Sequence, residues 1–309
     1  MEDFDIWDVI VIGGSPAGLT AGMYTSRARL KTKILTGPTP GGQIALTYRV
    51  ENYPGFYEPT TGPELTEALM THAEFFGAEI DRSEASSVEF SKSPYTIHTK
   101  DKKLKARTVI IATGSKNKKL GVLGEEKFMG KGVFVCATCD AALYEGLRVV
   151  VVGGGDSALQ ESLDLTRFAS EVFIVYRGND LSGCLCLQER VKENPKIKLI
   201  SNSIVEEIVG TNYVEYVRIK NQNNGEVDSL ETDGVLTAIG WEPNTEIFKG
   251  KLKMDANGYI ESDEVKTSIP GIFVAGDLID TEYRQVVTAC STGCKAALEV
   301  ERYIMKQKQ

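Results

Sequence analysis

Two segments of the sequence carry one pattern, and that pattern leaves few folds open. DVIVIGGSPAGLTAGMYTSRA (residues 8–28) is a short β-branched run, a glycine turn and then a helical pattern with small residues in its first turn. LRVVVVGGGDSALQESLDLTRFA (residues 147–169) repeats it. Each reads as strand, tight turn and helix, the first half of a βαβ unit. Each is followed by an apolar run that supplies a second strand, TKILTG (Thr32–Gly37) and EVFIVYRG (Glu171–Gly178). One glycine turn is weak evidence, because many strand–helix corners need close packing. Two in one chain imply two dinucleotide-binding folds, an α/β architecture of two Rossmann-like domains in three ββα layers.

Two further strand-like runs close on glycine, ARTVIIATGS (Ala106–Ser115) and GIFVAGDLID (Gly271–Asp280), and RQVVTACSTGCKAALEVERYIMKQ is helical with a basic tail. Polar and turn residues interrupt the apolar pattern at ATGSKNKK (Ala112–Lys119) and IGWEPNTE (Ile239–Glu246). The expected division is a discontinuous first domain, residues 1–116 and 244–309, with a second domain of residues 117–243 inserted.

At 309 residues the chain has room for both domains. Its 42% hydrophobic and 25% charged residues are those of a globular protein, and a net charge of −8 argues against nucleic acid or an anionic membrane. No apolar run approaches the roughly 20 residues that span a bilayer. The acidic opening MEDFDIWDVIVIGG is not the form of a signal peptide. The expected location is the cytoplasm.

The six cysteines fall in pairs: Cys136/Cys139, Cys184/Cys186 and Cys290/Cys294. Alone, the C-x-x-C could be half of a zinc site, a structural disulfide or a redox switch. A reducing compartment disfavours a structural disulfide framework. With two histidines in unrelated segments, zinc would need four cysteines, and C-x-C is not a usual zinc spacing, so no metal is expected.

The turn Gly13-Gly14-Ser15-Pro16-Ala17-Gly18 keeps the G-x-G-x-x-G register if Ser15 stands in for the second glycine. Serine is small there and can also donate a hydrogen bond, while the following helix start faces phosphates. The second turn, Gly153, Gly154, Gly155, Asp156, Ser157 and Ala158, fits G-x-G-x-x-A outright. An acidic residue ending its second strand would favour NAD and an arginine NADP. The sequence offers Tyr176-Arg177-Gly178, with Arg177 the candidate phosphate clamp.

In this order, VIVIGGSPAGLTAG, GGQI (Gly41–Ile44), VENYPG (Val50–Gly55), IIATG (Ile110–Gly114), CATCD (Cys136–Asp140), GGGDSA, SIPGIFVAGD (Ser268–Asp277), YRQV (Tyr283–Val286) and TGCKAALEVERYI resemble the low-molecular-weight thioredoxin reductases. The likeness covers almost the whole chain. It implies an FAD enzyme with the cofactor held by Gly13, Ser15, Pro16, Ala17 and Gly18, with Thr36 and Gly37, and with Gly41, Gly42, Gln43 and Asn52. Ala112, Thr113, Gly114 and Gly276 join them, Asp277 on the ribityl chain and Arg284, Gln285 and Val286 along the flavin. A second nucleotide would lie on Gly153, Gly155, Asp156, Ser157, Ala158 and Arg177.

The same resemblance makes Cys136–Cys139 a catalytic disulfide in the second domain. Cys139 is then the sulfur toward the flavin, Cys136 the thiol that attacks the protein substrate, and Asp140 the acid that protonates the leaving thiolate. The spacing suits this role, since two intervening residues at a helix start bring the sulfurs together and lower a thiol pKa. The implied partner is thioredoxin or a thioredoxin-like protein, the implied assembly a homodimer, and the domains are expected to rotate about the crossings near Ser115 and Pro243. Cys294 and Cys290 read as packed helix residues, and Cys184 and Cys186 as buried structural thiols.

One motif departs from the family. NADPH-using members carry His-Arg-Arg-x-x-x-Arg where this chain has Tyr176-Arg177-Gly178-Asn179-Asp180-Leu181-Ser182. Losing two of three arginines weakens recognition of a 2′-phosphate. The expected donor is therefore NADPH bound weakly or differently, NADH, or a non-pyridine donor such as ferredoxin or a deazaflavin. A ferredoxin- or flavodoxin-NADP reductase would lack the C-x-x-C, and a non-catalytic flavin sensor would have little use for an intact CATCD.

Overall fold

The computed structural model describes residues 6–47 and 50–307. The acidic start of the chain and the end of its basic tail lie outside the described residues. The chain divides into two compact units, residues 1–116 with 242–309, and residues 117–241.

The first unit begins β1 (Ile6–Ile12), α1 (Pro16–Arg27) and β2 (Thr32–Leu35). It continues through α2 (Gly62–Phe75) and β3 (Glu79–Asp81) to β4 (Ala85–Glu89), β5 (Tyr95–Thr99) and β6 (Lys103–Ile111). The chain leaves through β7 (Ser115–Asn117) and builds β8 (Val133–Phe134), α3 (Ala137–Asp140), β9 (Arg148–Val152), α4 (Asp156–Leu165) and β10 (Glu171–Val175). Next come α5 (Leu185–Glu193), β11 (Ile197–Ile200), the antiparallel strands β12 (Ser203–Gly210), β13 (Val214–Asn221) and β14 (Val227–Glu231), and β15 (Gly234–Thr237). It returns through β16 (Trp241–Pro243), which pairs with β7, to β17 (Ile272–Val274) and α6 (Val286–Gln307).

The two units share one order over four parallel strands and differ in the fifth, which ends the first unit's strands and begins the second's. In the first, parallel strands run β3-β2-β1-β6-β17, with β5 and β4 added antiparallel beside the first half of β6. In the second the order is β11-β10-β9-β15-β8, all parallel. The central strands β1 and β9 are near-continuous apolar runs because both faces of each sheet are covered. In the first unit α1, α2 and α6 close one face over Val9, Val11 and Ile110, while Phe90, Tyr95 and Phe248 fill the other. In the second, α4 covers Val149 and Val151, and the β12-β13-β14 sheet packs Val205 and Val217 onto Val150. Both units therefore have a helical layer, a parallel sheet and a further layer opposite.

Helix α6 meets α1 at backbone range. Its buried positions Ala289, Gly293, Ala296, Ala297, Val300 and Ile304 follow a helical stripe. At Gly293 an added Cβ would lie 2.2 Å from the carbonyl oxygen of Ala17, so only glycine permits this crossing. Gly293→Ala should destabilise the first unit by about 1–3 kcal/mol through overpacking. Exposed Ser291→Ala on the same helix should change stability by less than about 0.5 kcal/mol. Thermal unfolding of the two variants checks this contrast.

Candidate active site

In the first unit the glycine turn sits where the ends of β1 and β6 converge. Gly13 has φ +118°, and a Cβ there would fall 2.2 Å from the Ala112 carbonyl oxygen. Ser15 caps α1 by accepting the Gly18 N–H at 3.4 Å, with Pro16 and Ala17 opening the helix. Its hydroxyl donates to the Ala112 carbonyl at 2.9 Å, so the donor capacity read from sequence goes to the protein backbone. The Gly41 N–H donates to the Gly14 carbonyl at 2.8 Å, tying Gly41, Gly42 and half-buried Gln43 to the turn. Thr36 follows β2 and donates to the Gly37 carbonyl at 2.9 Å. Thr113 and Gly114 follow β6 and bond Asn244, the Thr113 hydroxyl reaching its carbonyl at 2.7 Å.

Segments far apart in sequence meet around this cradle. The Asn52 amide donates to Gln285 Oε1 at 3.2 Å, joining two residues that the sequence reading selected separately. Arg284 adopts φ +47° with its N–H on Asp280 Oδ2 at 3.1 Å, and Val286 begins α6. The Gly276 N–H donates to Thr292 Oγ1 of α6 at 2.9 Å. A Cβ on Gly276 would lie 3.0 Å from Ala17 Cβ. Next to it, burial pushes the Asp277 carboxyl up to about 6, with Asp280 adding to the shift and Arg284 opposing it. The Asp277 carboxylate accepts no hydrogen bond among the described residues. A half-buried acceptor beside a phosphate-type turn fits a ligand that brings hydroxyl donors, as the ribityl chain of FAD does.

Two neighbours of the cradle escaped the sequence reading as a pair. Tyr53 Oη and Cys290 Sγ lie 3.8 Å apart, and the same sulfur is 3.8 Å from the Pro16 carbonyl. Burial, and then Cys290, push the Tyr53 hydroxyl up to about 12. No local sequence signal links positions 237 residues apart.

In the second unit Cys136 and Cys139 form a disulfide. Cys136 caps the four-residue helix α3, its sulfur accepting the Cys139 N–H at 3.2 Å. Asp140 ends α3, and burial pushes its carboxyl up to about 6. Burial and then the Asp140 charge raise the hydroxyl pKa of Tyr144, whose ring stacks on Phe134 at 4.5 Å. Glu161 of α4, absent from the sequence reading, accepts the Ala137 N–H between the two cysteines at 3.0 Å. Its only sequence signal is a place off the buried stripe of Ala158, Leu159, Ser162 and Leu165.

The second glycine turn repeats the first, with a Cβ on Gly153 falling 2.3 Å from the Ala238 carbonyl. Gly155 caps α4, and Asp156, Ser157 and Ala158 form its first turn. The loop after β10 folds back onto this turn. Ser182 and Gly183 donate their N–H groups to the Gly154 carbonyl at 2.8 and 3.0 Å, and Cys184 donates its own to Asp156 Oδ1 at 2.6 Å. Arg177, Asn179, Asp180 and Ser182 are exposed along the loop, while Leu181 is buried. Arg177 is the only cation in residues 176–184.

The expectation of buried thiols at Cys184 and Cys186 is overturned, for both are exposed. Leu181 and Val191 fill the small core beneath α5, whereas Cys184 caps this helix and Cys186 lies in its first turn, on the solvent side. Cys290 and Cys294 are half-buried on α6.

No helix among the described residues is long and apolar enough to cross a membrane. The pyridine nucleotide-disulphide oxidoreductase family matches residues 7–293. A thioredoxin reductase of Rickettsia conorii is 44% identical over 304 residues, covering 96% of this chain and 98% of that protein. One of Streptomyces coelicolor is 40% identical, covering 97% of this chain and 94% of the relative. The crystal structure of thioredoxin reductase from Streptococcus pyogenes MGAS5005 superposes with a TM-score of 0.92 at 38% identity, covering 97% of this chain and 99% of that one. Matches of this identity across nearly the full length mean that the chain belongs to the thioredoxin reductases, FAD-dependent oxidoreductases of the pyridine nucleotide-disulphide family.

Proposed function

We propose that this thioredoxin reductase passes electrons from its donor through FAD to the Cys136–Cys139 disulfide and on to thioredoxin or a similar small protein. The observation that carries this reading is a C-x-x-C disulfide followed at once by a carboxyl that burial holds at about 6. FAD, when bound, supplies the two-electron relay between a donor and a disulfide. Asp277 would accept from its hydroxyls, Asn52, Gln43 and the Arg284–Val286 segment would position it, and the Gly13–Gly18 turn would take its phosphates.

The dithiol chemistry belongs to the chain itself. Two electrons and two protons open the Cys136–Cys139 bond. The Cys136 thiolate then attacks a sulfur of the substrate disulfide and forms a mixed disulfide. Asp140 gives its proton to the departing substrate sulfur. Cys139 then gives its proton to the Asp140 carboxylate, and its thiolate attacks the Cys136 sulfur. Asp140 protonates the second departing substrate sulfur and regains from water the proton that Cys136 released, so the internal disulfide is restored and the substrate leaves as a dithiol. Cys139 takes the flavin-side role by likeness to the family.

For the donor, a single exposed Arg177 beside Asp180 favours a reductant without a 2′-phosphate, NADH or a reduced ferredoxin or deazaflavin, over NADPH. The Gly153–Ala158 turn supports NADH among these.

Anaerobic bleaching of the flavin by NADH, NADPH and reduced ferredoxin, each alone, tests the donor. Fast bleaching by NADPH alone would overturn the argument from the missing arginines. Cys136→Ser should still accept electrons at the flavin while thioredoxin reduction falls below about 1% of wild type. Retention of full thioredoxin reduction would exclude Cys136 as the attacking thiol.

Asp140 donates a proton only when protonated, so that form is lost as pH rises through about 6. The rate of thioredoxin reduction by the pre-reduced enzyme should show a descending limb there. Asp140→Asn should remove the limb and slow the step by about 100-fold or more. Stopped-flow measurement across pH 5–8 checks both.

A further inference from the structure

One carboxylate organises the segment that leads into α6. Asp280 Oδ1 accepts the N–H groups of Glu282 at 2.9 Å and Tyr283 at 2.8 Å. Asp280 Oδ2 accepts the Arg284 N–H at 3.1 Å. The Thr288 hydroxyl, 3.3 Å from Oδ2, is shared with the Gln285 carbonyl at 2.9 Å. Three consecutive amides and a side chain from the first turn of α6 thus converge on one half-buried aspartate. Asp280 is itself anchored, because its N–H and that of Ile279 donate to the Gly276 carbonyl at 3.3 and 3.0 Å. Gly276 in turn packs against Ala17 of the first glycine turn.

The segment has little else to fix it. Thr281, Glu282 and Tyr283 are exposed, so burial contributes little there. Arg284 has φ +47°, a left-handed conformation that a residue with a side chain keeps only when its surroundings impose it. Hydrogen bonds accepted by a carboxylate are about twice as strong as neutral ones, which suits them to this task. Downstream, Gln285 Oε1 accepts from Asn52 at 3.2 Å and Arg284 Nη2 donates to Tyr259 Oη at 3.4 Å. Both side chains take their direction from the backbone that Asp280 holds.

We propose that Asp280 is a positioning residue for FAD, its carboxylate fixing the Glu282–Arg284 backbone so that Arg284, Gln285 and Val286 are set in advance for the flavin. The inference rests on the cofactor reading above. The role is indirect, through the polypeptide. Without the carboxylate the three amides turn to water and Arg284 relaxes to an ordinary φ. The segment must then be ordered as the cofactor binds, which weakens the hold on it.

The test compares FAD-loaded wild type with Asp280→Ala, which removes every acceptor, and with Asp280→Asn. Asparagine keeps the Oδ1 acceptor and sets an N–H donor against the Arg284 N–H. FAD release is followed by the rise in free-flavin fluorescence, and amide hydrogen exchange is read residue by residue. Asp280→Ala should release FAD about tenfold faster and lose protection at the amides of residues 282–284. Asp280→Asn should release it at an intermediate rate, keep Glu282 and Tyr283 protected and lose protection at Arg284. Amides of β1 and β6 should stay protected over the same interval in both variants.

Unchanged FAD release in Asp280→Ala would overturn the proposal. So would faster release with protection lost throughout β1 and β6, since that marks general destabilisation. Asp277→Ala is measured alongside, because Asp277 belongs to the cofactor reading and not to this one. If Asp277→Ala speeds release and Asp280→Ala does not, this inference fails alone. If neither does, the assignment of the cradle to FAD fails with it.

Discussion

The carbonyl oxygen of Ala112 stands 2.2 Å from the place a side chain on residue 13 would need, and the first unit is arranged around that contact. It brings the ends of β1 and β6 together, so the chain leaving β1 must turn at once into α1. The point where neighbouring parallel strands send their connections to opposite sides is where such sheets bind ligands. The cradle collects there because Gly41 bonds the turn, Gly276 touches Ala17, and α6 crosses Ala17 through Gly293. The second unit repeats the arrangement at Gly153 and Ala238. One steric exclusion, used twice, locates both glycine turns.

Burial acts alike on two acids that have different surroundings. Asp277 and Asp140 are both pushed up to about 6, principally by loss of water. Asp277 has Asp280 and Arg284 nearby, and Arg284 pulls its carboxyl back toward the ionised form. Such a group suits the steady acceptance of hydrogen bonds. Asp140 sits among apolar side chains next to a disulfide, where a proton available near neutrality has a use. Perturbed carboxyls gather at sites of chemistry because the same desolvation that costs stability creates the acid.

The fold was legible where the backbone constrained residue type. The turns at Gly13 and Gly153 admit no side chain, and the buried strands beside them require apolar runs on both faces, so strand, turn and helix could be read directly. The Cys136–Cys139 spacing carried its own geometry in four residues. What stayed hidden depended on long-range docking. The Asn52–Gln285 and Tyr53–Cys290 contacts each join segments more than 230 residues apart, which no local pattern specifies. Cys184 and Cys186 misled because cysteine composition suggests burial, whereas helix register decided their exposure. Glu161 stayed hidden because a glutamate on the side of a helix is ordinarily solvated.

The interrupted chain also sets an order of assembly. The inserted unit is continuous from residue 117 to 241, so every strand of its sheet leaves the ribosome in one passage. The first unit must wait. Its β17 edge and the α6 cover over α1 are encoded beyond residue 241, and until they arrive Ala17, Val9 and Ile110 lack part of their apolar cover. Domains fold as units as they emerge. The dithiol-bearing unit can therefore be complete while the first unit still lacks its last strand and its closing helix.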